Sequence, residues 1–231
     1  MIQRFFVARP GWAWHGVARL GAARFFRKEL FMVKKKEEAV SAPATMKPEI
    51  VVFLIEGRSP LLQNNPASFI GKSDDPGMSS GKKIYLDEEE ARLRLYTDPS
   101  GAMCHPCEAF TKATVKAVAG KKFGKMFATS AIKGSVFIVE PFALILDLQE
   151  KPATEYSIDR RPVVVGKARI LRCRPCWSQW KMKVPLEIDT AILTPEQVEE
   201  SLSLAGRIIG IGDYRPEKGG GFGRFSVKIV K

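Results

Sequence analysis

The sequence is poor in the residues on which most enzymes depend. Its 231 residues include two histidines, His15 and His105, and four cysteines. It contains no nucleophile elbow, metalloprotease helix or carboxylate cluster, so it lacks the common hydrolase signatures. Long apolar runs are missing too, because Arg9, Arg19 and Arg24 divide the apolar N-terminal stretch and exclude a transmembrane helix there. We therefore expect a protein that is not an enzyme.

Acidic residues are too few to balance the basic ones. The chain has 37 Lys and Arg against 25 Asp and Glu, a net charge of +12 with a pI near 9.6. Such an excess favours a polyanionic partner, either nucleic acid or an acidic membrane surface. Half of the net charge lies in residues 1–46. The remainder is only mildly basic, so its function must depend on where its bases cluster.

The chain is predicted to have two parts, a basic extension at 1–46 and a nucleic-acid-binding domain at 47–231. The first 28 residues contain no acid. This composition fits a mistaken translation start upstream of Met32, an organellar targeting peptide, or an interfacial helix. The stretch from Lys34 to Lys47 has no apolar periodicity and is predicted to be a disordered linker.

Apolar periodicity in the domain predicts an α+β fold. A nearly continuous apolar run at 49–57 predicts a central strand covered on both faces, and residues 71–83 predict a mobile excursion. The capping box Thr194-Pro195-Glu196-Gln197 predicts a helix that runs to about residue 209. The other predicted helices span 87–95 and 108–119, and the other predicted strands span 135–139, 142–148, 163–171, 177–188 and 226–230.

Basic residues and tryptophans alternate along the middle strands. Basic residues combined with aromatic rings suit single-stranded nucleic acid, because the basic side chains neutralise phosphates and the rings stack on nucleobases. We expect Trp180 in the core, whereas Trp177 fits either the core or the surface. The candidate nucleic-acid-binding residues of this region are Lys167, Arg169, Arg172, Arg174, Lys181 and Lys183.

A glycine-rich loop follows the last predicted helix. Glycines permit positive φ angles and let the backbone approach a ligand closely, and nearby bases supply charge. No strand leads into the loop and no helix leads out, so it is neither a dinucleotide-binding nor a Walker loop. A flexible hairpin is the alternative. The candidate binding residues are Gly210, Gly212, Arg215, Lys218, Gly219, Gly220, Gly221, Gly223 and Arg224.

The opening strand Ile50 to Gly57, together with a helix, a loop of the form G-x-G…G-G-G-F-G and a closing strand, resembles the RAMP superfamily of CRISPR-type RNA-binding proteins. The resemblance spans about residues 49 to 231. It implies a ferredoxin/RRM-like antiparallel sheet core with helices on one face. It also implies RNA or single-stranded DNA lying across the sheet and the glycine-rich loop, in a homo-oligomer or filament. The chain is similar to uncharacterised phage and prophage proteins as well, through Pro60-Leu61-Leu62, Val165-Gly166-Lys167-Ala168-Arg169 and the segment from Gly210 to Pro216. We accordingly expect a cytoplasmic protein of a bacterial or phage-infected cell.

The four cysteines form two C-x-P-C pairs, Cys104 with Cys107 and Cys173 with Cys176. Two such pairs can supply four thiolates to one tetrahedral zinc ion, which would be structural because it has no open position. The 65 residues between the pairs are too many for a compact zinc ribbon, so the site requires the fold to join distant segments. Unligated thiols, disulfides and an iron–sulfur cluster are the alternatives.

Non-catalytic binding of RNA or single-stranded DNA is the function that the sequence favours. One alternative is a metal-independent endoribonuclease of the same superfamily, in which His105 with Tyr85 or Tyr96 moves the 2′-hydroxyl proton. The other alternative is a phage structural protein whose basic surface counters packaged DNA.

Overall fold

The structure, a computed structural model, describes residues 47–66, 87–165 and 168–230. The predicted N-terminal extension, the excursion at 71–83, Tyr85 and Lys167 lie outside the described residues. The expectations made for them therefore stay predictions.

The main sheet is built around the first strand, β1 (Pro48–Gly57). It lies between β10 (Lys181–Asp189) and β11 (Phe225–Val230), and β6 (Val136–Ile138) pairs with the far side of β10. Every neighbouring pair is antiparallel. The predicted central position of β1 is confirmed, but its predicted burial on both faces is wrong. Val51, Phe53 and Ile55 are buried on one face, whereas Ile50 on the other face is 61% exposed.

Three helices cover the buried face of this sheet, α2 (Glu108–Ala117), α3 (Ala128–Ser135) and α4 (Pro195–Ile208). The helix that precedes them in the chain, α1 (Asp87–Leu93), contacts a second sheet instead. The α4 helix packs on α2 and on β11, where the Phe110 and Phe225 rings meet edge to face at 5.5 Å. Its N-terminus carries the predicted capping box, with Thr194 and Gln197 bonded to each other's backbone N–H groups.

A second sheet joins the short strand β2 (Leu61–Leu62) to β9 (Ala168–Trp177) and β8 (Ser157–Val165), in that order. The sequence predicted one strand across 163–171, and this is wrong. Val165 pairs with Ala168, so the chain reverses across two residues and forms an antiparallel hairpin. Two small antiparallel pairs complete the strands, β3 (Cys104–Pro106) with β7 (Phe142–Leu144) and β4 (Lys122–Phe123) with β5 (Met126–Phe127).

Antiparallel sheets and four α-helices in the described ranges make this a mixed fold that agrees with the α+β prediction. In those ranges, no helix has both the length and the apolar character needed to cross a membrane.

Candidate nucleic-acid interface

The glycine-rich loop (residues 210–224) is held by backbone hydrogen bonds to neighbouring segments, which argues against the alternative of a flexible hairpin. It begins where α4 ends and returns to the main sheet at β11. Its backbone is bonded to the segment around β2, because Asp213 N donates to Leu62 O and Gly223 N donates to Pro60 O, both at 2.8 Å. A third bond, from Ile211 N to Gly223 O at 2.9 Å, joins the two ends of the loop.

Four of the six predicted glycines are required by the packing of the loop itself. A Cβ on Gly220 would lie 1.7 Å from the Tyr214 carbonyl oxygen, and a Cβ on Gly212 would lie 2.3 Å from that of Leu62. A Cβ on Gly223 would lie 1.8 Å from the Ile211 carbonyl oxygen, and a Cβ on Gly210 would lie 2.7 Å from Pro216 Cδ; both glycines also have positive φ angles. The close approach that the sequence predicted therefore occurs at these positions within the chain.

The remaining two glycines face open space. A Cβ on Gly219 or Gly221 would meet no atom of the described chain within 4 Å. Gly219 needs its flexibility for a φ of +77°, whereas no positive φ occurs at Gly221. Gly221 is thus the loop glycine at which neither the local packing nor a left-handed backbone demands the absence of a side chain.

A buried ion pair attaches the loop to the β8–β9 hairpin. Arg174 donates from Nη1 to Asp213 Oδ2 at 2.7 Å, and its side chain is 4% exposed. Asp159 on β8 is a more distant second partner, with its Oδ2 3.9 Å from Nη2. The sequence placed Arg174 among the nucleic-acid-binding residues, but the structure places its guanidinium in the interior, where it positions the loop.

Three more of the predicted binding residues are engaged by acids. Lys181 lies 3.4 Å from Glu56, and Lys183 lies 2.6 Å from Glu150. Arg215 is bonded to Glu217 at 2.7 Å and to the carbonyl oxygen of Gly212 at 3.0 Å. Their charges are partly compensated within the chain, which reduces what each can offer to a phosphate.

Another group of predicted residues keeps its charge available. Arg169, Lys218 and Arg224 are exposed and form no ion pair within the described ranges. Arg172 is half-buried, and its pKa is lowered by burial and by the neighbouring charges of Arg94 and Arg174. The basic residues whose charge is available to a phosphate therefore lie in the β8–β9 hairpin and in the glycine-rich loop.

The aromatic side chains of the surface are not the ones that the sequence suggested. Trp177 and Trp180 are both buried, and Trp180 donates from Nε1 to the Ser59 carbonyl oxygen at 2.9 Å. The core position expected for Trp180 is confirmed, and Trp177 joins it there. Neither ring is available to stack on a nucleobase.

Instead, two rings of the glycine-rich loop and one arginine of β8 form a cluster, which we name the Arg161 cluster (Arg161, Tyr214 and Phe222). The Arg161 guanidinium lies 4.6 Å from the Phe222 ring centroid and 6.0 Å from that of Tyr214. The two rings are 6.0 Å apart, and Tyr214 is 45% exposed. A signal for this cluster was present in the sequence, since two aromatic residues stand in a glycine-rich polar loop.

The two cysteine pairs lie near one buried glutamine, with Cys104 on β3 and Cys107 just after it, and with Cys173 and Cys176 on β9. Gln63, which follows β2, donates from Nε2 to Cys104 O on β3 at 2.7 Å and from its backbone N to Pro175 O on β9 at 3.0 Å. All four thiols are free. Burial raises the pKa of Cys104 to about 11 and that of Cys107 to about 12.

Among the described residues, no group of three or more His, Cys, Asp or Glu side chains is arranged to hold a metal ion. The predicted zinc site at Cys104, Cys107, Cys173 and Cys176 stays a prediction, and nothing below depends on it.

Two neighbouring cavities lie between α2 and the loop. The larger, about 700 Å³, is lined by residues of α2, α3 and the loop, and the smaller, about 470 Å³, is lined by His105, Tyr96 and the start of α2. Five lining residues are shared: Glu108, Ala109, Lys112, Gly212 and Arg215. Burial lowers the pKa of His105 to about 4, so its imidazole is neutral at pH 7.

Comparison with known proteins adds little to this geometry. No protein-family model matches the chain. No curated protein matches it either. Among solved structures, it is similar to the crystal structure of Cmr6 from Pyrococcus furiosus, with 12% sequence identity, 78% of this chain and 98% of that chain covered, and a TM-score of 0.42. A likeness at this level carries no argument about function, so the function must be inferred from the surface itself.

Proposed function

We propose that this chain binds single-stranded nucleic acid, RNA or DNA, without catalysis, on the surface formed by the β8–β9 hairpin and the glycine-rich loop. The observation that carries the proposal is the Arg161 cluster. It brings a guanidinium and two aromatic rings together from segments more than fifty residues apart. Nucleobases stack on aromatic rings and on arginine planes, and a stacked base contributes about 1–3 kcal/mol.

The available basic residues of the same two segments supply the phosphate contacts in this proposal. Arg169 lies on the hairpin, and Lys218 and Arg224 lie on the loop. Arg58 lies beside Arg224, since its backbone N donates to Arg224 O at 2.7 Å. The sequence prediction did not include Arg58, which is also exposed and without an ion pair in the described ranges.

The order of strands in the main sheet supports the ferredoxin-like interpretation of the fold. Numbered along the chain as first to fourth, β1, β6, β10 and β11 stand in the spatial order fourth, first, third, second. Helices connect β1 to β6 and β10 to β11, as a β-α-β-β-α-β unit requires. Membership of the RAMP superfamily, a repeating assembly and a cytoplasmic location remain proposals that follow from the resemblance.

The proposal is tested by fluorescence anisotropy with labelled single-stranded RNA and DNA. Tyr214→Ala should weaken binding about tenfold and leave its salt dependence unchanged, because it removes stacking and no charge. Arg224→Ala should weaken binding and reduce the salt slope by about 0.7, the share of one phosphate contact. Lys125→Ala is the matched control, because Lys125 is exposed on the β4–β5 turn and forms no ion pair with any residue that the structure describes.

The outcomes separate the candidate functions. If Tyr214→Ala and Lys125→Ala both bind as the wild type does, the strand lies elsewhere on the protein. If the wild type binds neither RNA nor DNA at low salt, nucleic-acid binding is wrong and the structural phage protein is favoured.

A further inference from the structure

The smaller cavity, beside α2, has a polar side chain that the proposed binding surface does not use. It has a volume of about 470 Å³ and lies within the range of about 300–1,000 Å³ that is typical of small-ligand sites. Its walls include the rings of Tyr96, His105, Pro66 and Pro106. These flat rings suit a flat ligand.

A hydrogen-bond network fixes the proton of His105. Gln63 Oε1 accepts from Tyr96 N at 3.0 Å, and Gln63 Nε2 donates to Cys104 O at 2.7 Å, so the orientation of the amide is determined. The same Nε2 lies 3.3 Å from His105 Nδ1. An amide nitrogen is only a donor, so Nδ1 accepts, and the proton of the ring is on Nε2.

The Nε2–H group of His105 is left for a ligand. Within the described part of the chain it has no hydrogen-bond partner. The His105 ring lines the cavity, so we infer that Nε2–H opens toward it. A donor in such a place is expected to meet an acceptor when the site is filled. In this tautomer the ring offers no base to the cavity, which disfavours the endoribonuclease alternative.

The charges around the cavity are balanced, which favours a neutral ligand over a phosphate. Lys112 is paired with Glu108 at 2.7 Å, and Arg215 is paired with Glu217 at 2.7 Å. Asp213, the other charged residue of the wall, is held by Arg174. The carboxylates of Glu108 and Asp213 are acceptors, so they complement a ligand that carries N–H groups.

We propose that this cavity binds one nucleobase of the bound strand, of the class with a ring carbonyl beside an imino N–H, such as uracil or guanine. The base carbonyl accepts from His105 Nε2–H, and the imino N–H faces the carboxylates. Adenine has no carbonyl to offer. This inference rests on the proposed function, because the nucleobase belongs to a strand whose phosphates contact the available basic side chains.

The first test compares all-uridine and all-adenosine single strands of one length. The wild type should prefer uridine about fivefold, the effect of one neutral hydrogen bond. His105→Phe keeps a flat ring but has no N–H, so it should lose that preference while its affinity for the adenosine strand stays unchanged. Lys125→Ala should keep the preference.

A second test needs no change at His105, whose substitution also removes a partner of Gln63. The chain has two histidines, so the ¹⁵N imidazole spectrum of the full chain has two sets of signals, and His15→Gln assigns them. Uridine monophosphate should shift the His105 Nε2 signal, and adenosine monophosphate, with the same ribose and phosphate, should not.

Equal shifts with both nucleotides, or none, would overturn the base site. Strand binding with no preference for uridine would overturn it too, and would leave the proposed function standing. Absence of all strand binding would overturn both.

Discussion

The adjacent glycines Gly220 and Gly221 offer the sharpest mutational test of how the loop is built. The same substitution, to alanine, meets opposite surroundings at the two positions. A Cβ at Gly220 would lie 1.7 Å from Tyr214 O and 2.4 Å from Tyr214 C, so the backbone must move. A Cβ at Gly221 would meet nothing within 4 Å in the described chain.

The cost at Gly220 follows from the bonds that such a movement breaks. Gly220 N donates to Arg215 O at 3.1 Å, and Phe222 N donates to Tyr214 O at 3.2 Å. Each bond contributes about 1 kcal/mol, and residual crowding adds to the loss. We expect Gly220→Ala to lower the free energy of unfolding by about 2–3 kcal/mol. Gly221→Ala should leave it unchanged or raise it by about 0.4–1 kcal/mol, because alanine restricts the unfolded chain.

Urea unfolding followed by circular dichroism measures the difference. With a denaturant slope of about 2 kcal/mol per molar, Gly220→Ala should lower the midpoint by about 1 M. Equal midpoints for the two variants would refute the packing that we assign to the loop. Binding adds a second comparison, since Gly221→Ala should bind the strand as the wild type does. A stable Gly221→Ala variant that binds weakly would show that the backbone itself meets the strand there.

Three further predictions follow from the described contacts. Asp213→Asn should destabilise the protein by about 3 kcal/mol, because it leaves the buried Arg174 guanidinium without its nearest negative charge. Arg174→Met should destabilise it less, because water reaches the freed Asp213, and a larger loss for Arg174→Met in urea unfolding would contradict this. Thr194→Ala should cost about 1 kcal/mol through the lost helix cap, and Thr194→Ser should restore it in the same assay. Cys107 should resist a thiol reagent at pH 8 until the protein unfolds, because burial raises its pKa to about 12, and rapid labelling of the native protein, located by mass spectrometry, would show that its thiol is accessible.

The sequence predicted the elements whose signals are local. The capping box at Thr194 and the apolar stripe behind it define α4 within one stretch of chain, and the apolar run of β1 marks a central strand. The β8–β9 hairpin was missed because apolar residues continue on both sides of its reversal, so periodicity alone does not reveal the turn. Burial on only one face of β1 depends on what covers the sheet, which no local pattern encodes.

The candidate site was predicted in part for a similar reason. The sequence identified the two segments, the basic strands and the glycine-rich loop, and the structure joins them through Arg174 and Asp213. Which bases stay available depends on acids far away in the chain, as the pairing of Lys183 with Glu150 illustrates. Composition gives the number of basic residues, but ion pairs between residues distant in the chain decide which of them can contact a phosphate.

The salt dependence of binding tests the central claim most directly. The four basic residues that remain available, Arg58, Arg169, Lys218 and Arg224, predict a slope of about −3 in a plot of log affinity against log salt for a single strand. Between about 50 and 200 mM salt the wild type should therefore lose about 50-fold in affinity. It should bind a single strand more tightly than a duplex of the same length, because only unpaired nucleobases can stack on the Arg161 cluster. A slope near zero, or equal affinity for the duplex, would contradict the account.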